Sequence, residues 1–383
     1  MPFQGRGILA GRRRTGARLL AGALGIALGP MTAAVPALAQ LPSEQRAVLR
    51  RGLNITNWFR FPASAEPARL RAYLPDTAMA EIRAAGFTFV RLCIQPQVLL
   101  RPDGTLEPTR LAVVLEAIER LHRAGLGVIV DAHPESWYPE DHPEHRQALF
   151  DFWRGMAPAM RRFDRSRTFV EVLNEPIFRD HAVWAALQLE VLAVIRTVLP
   201  LHTIILTGAD WGSLEGLQQL RPVRDPRVIY SVHDYTPGVL AGLASFEPGL
   251  DAAAIARLPF PVTDVAACRA TVADSAHARS RAIGEFYCGE GWNAARLHER
   301  LATAAAWGRR HDAPVMILEF GAHAHLNRPA RLAYFEAFGQ AAGREGLGWA
   351  LWGYGDIMGF PARSGPHPAQ LDPAVLRALG TGS

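Results

Sequence analysis

"PTRLAVVLEAIERLHRAGLGVIVDAH" spans residues 108–133. Up to Gly125 its apolar residues recur at helical spacing, and Gly125 is a natural stop. From Leu126 it becomes a short β-branched run, "LGVIVDAH", with Asp131 and His133 at its end. A helix feeds a strand through a single glycine. The same alternation runs along the chain, with β-rich runs at "LNITNWF" from 53, "FTFVRLCI" from 87, "TFVEVLN" from 168 and "TIILTGAD" from 203. "RVIYSVHDY" from 227, "PVMILEFG" from 314 and "LGWALWGY" from 347 complete a set of eight. Strands alternating with helices argue for a parallel sheet. Eight such units in about 340 residues fit a (β/α)8 barrel, a TIM barrel in one domain. The rival is an open doubly wound sheet, but no Gly-x-Gly-x-x-Gly follows the first run.

Spacing marks one irregularity. Arg91 to His133 and His133 to Glu175 are each 42 residues, whereas His233 to Glu319 is 86. Residues 236–290 therefore form a long insertion after the sixth strand, rich in Pro, Gly and Ala. Insertions after barrel strands lie on the catalytic rim.

Composition narrows the chemistry. With 49% hydrophobic and 20% charged residues, the chain can build a packed core. All 41 basic residues are arginine. Without lysine, Schiff-base enzymes and P-loop nucleotide hydrolases are excluded. Arg6, Arg12, Arg13, Arg14 and Arg18 account for the whole net charge of +5. The body is near neutral and shows no push toward nucleic acid. Those arginines precede the apolar run "LLAGALGIALGPMTAAVPALA", residues 19–39, which ends in Ala37-Leu38-Ala39. This pattern is expected of a secretory signal peptide over 1–39, with export of a domain spanning 40–383 to the periplasm or the medium. Arg13-Arg14 hints at the twin-arginine route. No further span is expected beyond residue 40. In an exported chain Cys268 and Cys288, both within the insertion, are candidates for a disulfide, and Cys93 reads as a buried free thiol.

Active sites of such barrels form at the C-terminal ends of the strands. Those ends carry Arg91, His133, Asn174, Glu175, His233, Tyr235, Glu319 and Trp352. Singly, each has a bland reading as a core or surface group; together at one rim they point to a site. Two carboxylates from non-adjacent strands can converge over the barrel mouth. Retaining hydrolysis of a glycosidic bond needs such a pair about 5 to 5.5 Å apart. Arg91 would keep the nucleophile ionised, Tyr235 would donate to it, and Asn174 would bind the sugar 2-hydroxyl. Trp58, Trp137, Trp211, Trp292 and Trp352 offer flat faces for sugar rings, Trp211 and Trp352 foremost. "DAHPE" and "HAH" raise metal readings through Asp131, His133, Glu135, His323 and His325. A metal-dependent barrel usually needs His-x-His on its first strand, where this chain has "LNITNW". No metal and no cofactor are expected.

"VLNEP" and "MILEFG" resemble the strand-four and strand-seven signatures of glycoside hydrolase family 5, the cellulase family. The resemblance covers roughly residues 50–355. It implies that Glu175 is the general acid/base and Glu319 the nucleophile. It places Arg91, His133, Asn174, His233, Tyr235 and Trp352 on the family's other active-site positions. The activity implied is a retaining β-glycosidase acting as a monomer on a polysaccharide, most simply an endo-β-1,4-glucanase. A β-mannanase or β-1,3-glucanase is the alternative within the family, and a non-catalytic carbohydrate-binding barrel the alternative outside it.

Overall fold

The computed structural model describes residue 38 and residues 40–242 and 249–382. Eight parallel strands close into a barrel: β1 (Arg51–Phe59), β2 (Phe89–Ile94), β3 (Gly127–Ala132), β4 (Thr168–Glu171), β5 (Ile204–Thr207), β6 (Val228–His233), β7 (Val315–Glu319) and β8 (Gly348–Tyr354). Each strand pairs with its sequence neighbours, and β8 returns to β1. All eight expected runs are strands.

The connecting helices follow the local chemistry. In Pro108–Arg123 the Glu107 side chain caps the first turn by accepting from the amides of Thr109 and Arg110. Val113, Val114, Ala117, Ile118 and Leu121 form its buried stripe, and Gly125 leaves it at φ 82°. His181–Val198 is the one described helix long and apolar enough to span a membrane, with mean hydropathy 1.3. This departs from the expectation of no further span. In the structure Trp184, Leu187, Gln188, Val191, Leu192 and Ile195 are buried in the shell outside the strands.

Strand alternation sorts side chains into two cores. Outward residues such as Val90, Leu92, Val130, Val170 and Val232 meet the helices. Inward residues Phe89, Ile129, Phe169, Ile205, Ile229, Met316 and Ala350 fill the lower barrel. Leu38, Leu41 and Leu49 close that floor. The expected signal segment 1–39 otherwise lies outside the described residues.

Two residues further along, the same inward faces carry Arg91, Asp131, Glu171 and Ser231, all buried. The apolar floor therefore gives way to a polar layer just below the mouth. The insertion folds into the short helices Gly238–Gly242, Ala252–Ile255 and Val265–Ala270 and the longer Ala278–Glu290. Cys268 and Cys288 are bonded there, with Cα atoms 5.7 Å apart, and Cys93 is free and buried. The insertion reaches the rim at Ala241, which packs with Cys93, Trp352 and Met358.

Candidate active site

The eight rim residues read from the sequence do come together, although several sit inside or beyond their expected strand ends. Arg91 is the third residue of β2, inside the barrel and fully buried. Its guanidinium donates from Nη1 to Glu319 Oε1 (2.6 Å) and Asn54 Oδ1 (3.0 Å), and from Nη2 to Asn174 Oδ1 (2.8 Å). Nε and Nη2 form a fork on Glu171 (2.6 and 3.1 Å), and Nη2 also lies 2.9 Å from Asp131. Three carboxylates around one cation outweigh the cost of its burial and push its pKa above the ordinary value.

Glu175 stands four residues beyond the end of β4, not at it. The loop is pinned by the Asn174 amide to the Ala132 carbonyl at 2.9 Å. Glu175 itself has φ 41°, a left-handed backbone that a glutamate adopts only where its surroundings impose it. Its Oε1 lies 3.0 Å from His233 Nδ1. Glu319 ends β7, where plain alternation after the inward Leu318 would turn it outward. The β6–β7 register shifts between Val232 opposite Ile317 and His233 opposite Glu319. This bulge re-aims Glu319 into the mouth. Its Oε2 accepts from Tyr235 (2.8 Å).

One oxygen of Glu175, one of Glu319 and a ring nitrogen of His233 lie within 4.8 Å of one another. The two carboxyl groups nevertheless differ. Burial would raise Glu319, but the His233 and Arg91 charges outweigh it and hold its pKa at about 2. Burial raises Glu175, and the Glu319 charge raises it further against the pull of His233. Glu319 is therefore the more acidic of the two, and Glu175 keeps its proton to a higher pH than its neighbour.

His133 is anchored through Nδ1 to Asp131 (2.7 Å), and its ring stacks on Trp352 with centroids 5.5 Å apart. Burial, then the Arg60 and Arg91 charges, keep it neutral. Asn174 gives its oxygen to Arg91, which leaves its amide nitrogen to donate to a ligand. A cavity of about 210 Å³ opens beside these groups, lined by Arg60, His133, Trp137, Asn174, Glu175 and Trp211 among others. Trp211 is 47% exposed, and its amide meets the Pro176 carbonyl. Gly212 follows it at φ +67°, where a Cβ would crowd Thr207 Oγ1 at 3.0 Å. Trp58 and Trp292, by contrast, are core residues: Trp58 donates to the Leu70 carbonyl, and Trp292 packs under Arg296.

Sequence reasoning passed over Asn54, Arg60 and Glu171. Asn54 and Glu171 bind Arg91, and the signal was available: both are polar residues on the inward parity of an apolar strand. Arg60 lies just past β1, its guanidinium 5.0 Å over the Trp352 ring and 3.2 Å from Glu135. Among the described residues, Glu175–His233–Glu319, Cys93–Asp131–His133 and His142–Glu144–His145 are close enough to hold a cation. The first two already neutralise or hydrogen-bond one another and Arg91. "DAHPE" does not converge as a ligand set, because Glu135 turns to Arg60.

Known proteins resemble this chain in sequence and in fold. The profile of Cellulase (glycosyl hydrolase family 5) matches residues 51–356. Endoglucanase 3 of Fibrobacter succinogenes is 26% identical over 369 residues, 89% of this chain and 54% of that protein. Endoglucanase C of Acetivibrio thermocellus is 24% identical over 202 residues, 49% of this chain and 58% of that protein. The chain spans a little over half the length of these curated relatives. Among solved structures, Thermotoga maritima Cel5A in complex with mannotriose superposes with a TM-score of 0.71 at 21% identity, covering 88% of this chain and all of that one. That likeness is one of fold. With the family profile covering the whole barrel, this chain belongs to the cellulase family, glycosyl hydrolase family 5.

Proposed function

We propose that the protein is a retaining glycoside hydrolase that cleaves internal β-1,4 bonds of a glucan. One observation carries the reading: an oxygen of Glu175 and an oxygen of Glu319 lie within 4.8 Å of each other over the barrel mouth, with Glu319 held below the ordinary carboxylate range and Glu175 raised above it. So close an approach suits double displacement, in which one carboxyl attacks the carbon whose leaving oxygen the other protonates. Glu319 attacks the anomeric carbon as Glu175 gives its proton to the departing glycosidic oxygen. A covalent glycosyl-Glu319 ester results. Glu175, now ionised, takes a proton from water as the water oxygen attacks the same carbon and frees Glu319. The Asn174 amide donates to the sugar beside the reacting carbon, and His133 and Trp352 line the ring. The names of the relatives favour a glucan. The mannotriose complex of a structural neighbour keeps mannan among the substrates to be tried.

Purified protein would be screened on carboxymethyl-cellulose, mixed-linkage glucan, mannan and laminarin. A fall in viscosity of carboxymethyl-cellulose ahead of reducing-end release is the expected result. No release from any of the four would remove the reading. Roles are tested by azide. Glu175→Ala on an aryl cellobioside should recover turnover with azide and yield the β-glycosyl azide, because azide needs no base. Glu319→Ala should give the α-azide. Exchange of these anomers would exchange the assignments.

A further inference from the structure

Glu171 has no part in the chemistry just described, yet it is 1% exposed and points into the barrel between both reacting groups. Its two oxygens take Nε and Nη2 of Arg91, at 2.6 and 3.1 Å. A guanidinium is planar, so seating that edge aims Nη1 at Glu319, 2.6 Å away. On its other side Glu171 Oε1 lies 4.0 Å from Nε2 of His233. That Nε2 is buried and has no hydrogen-bond partner, while Nδ1 of the same ring meets Glu175 at 3.0 Å.

We propose that Glu171 is a positioning residue that couples the two reacting carboxyls, seating Arg91 against Glu319 and setting the proton position on the His233 ring that holds Glu175. A carboxylate facing Nε2 favours a proton there. In the neutral ring Nδ1 is then the acceptor, and the acid proton of Glu175 points at it. What the two carboxyls do rests on the glycosidase reading; the coupling itself does not. The charged groups facing Glu171 are Arg91 from β2, Asp131 from β3 and His233 from β6, with Glu319 of β7 reached through Arg91. Asp131 meets Arg91 and His133 through the same Oδ2.

The test is a pH titration of the imidazole nitrogens by NMR, with the His233 signals assigned by their loss in His233→Gln. Glu171→Gln keeps the shape and removes the charge. The His233 midpoint should fall by about one pH unit, the size of a nearby-charge effect, and the neutral ring should lose its Nε2–H preference. The alkaline limb of kcat/KM on an aryl cellobioside should fall with it. Glu171→Asp keeps the charge but retracts it; its His233 titration should stay near wild type while kcat drops. An unchanged midpoint in folded Glu171→Gln overturns the proposal. If that variant does not fold, Glu171→Asp decides, and a kcat equal to wild type in that variant overturns the proposal. Coupling without activity on any glucan would count for Glu171 and against the glucanase reading.

Discussion

Replacing Arg91 by methionine would remove one cation from three carboxylates, Asp131 at 2.9 Å, Glu171 at 2.6 Å and Glu319 at 2.6 Å. Methionine fills most of the volume, so the loss is mainly electrostatic. Breaking a buried pair costs about 3–5 kcal/mol. At roughly 2 °C per kcal/mol for a chain of this size, Tm at pH 7 should fall by about 6–10 °C. The pH dependence is more telling than the size. In the native protein Glu319 titrates at about 2, below its ordinary 4.5. It contributes stability that is present above pH 4.5 and lost as pH falls toward 2. Without Arg91, Glu319 keeps the pull of His233 and Tyr235 but loses one of the charges that offset its burial, so its pKa rises toward the ordinary value and its contribution shrinks. Asp131 and Glu171, already raised to about 6 and 7 by burial, rise further. The gap between wild type and Arg91→Met should therefore be widest at pH 7–8 and shrink toward pH 3–4. Thermal unfolding followed by circular dichroism across this range measures it. A gap independent of pH, or widest at the acid end, would refute the account. The acid limb of the variant's residual activity should also move to higher pH, since its nucleophile ionises less readily than in the wild type.

Trp211→Ala removes an exposed platform and should raise KM about three- to tenfold with kcat retained, as loss of one stacking contact implies; a fall in kcat at constant KM would place Trp211 elsewhere. Non-reducing peptide mapping should find Cys268 joined to Cys288 and Cys93 free. Reduction of a bond closing 20 residues should destabilise the native protein by roughly 3 kcal/mol in the chain-entropy model, and an unchanged Tm would count against its structural role.

The barrel was legible because periodicity is local. Runs such as "LGVIVDAH" and the helix before it each carry their own geometry, and eight repeats of that order admit few topologies. The rim residues were legible for the same reason: a polar side chain closing an apolar strand stands out. Inward parity also marked Asn54 and Glu171, because a strand's two faces are written alternately along the chain. Other features were not local. Glu319 reaches the mouth through a bulge defined only by the pairing of β7 with β6. Glu175 is placed by a left-handed backbone beyond β4. Trp58 and Trp292 went to the core, though both read as aromatic candidates for sugar rings, whereas Trp211, put foremost with Trp352, is exposed. Nor does the sequence say that one guanidinium serves three carboxylates, or that Glu171 and Glu175 meet opposite nitrogens of one imidazole. Side-chain identity sets which groups can ionise. Their charge states depend on burial and on neighbours tens to hundreds of residues away in the chain, and only the closed barrel brings those together.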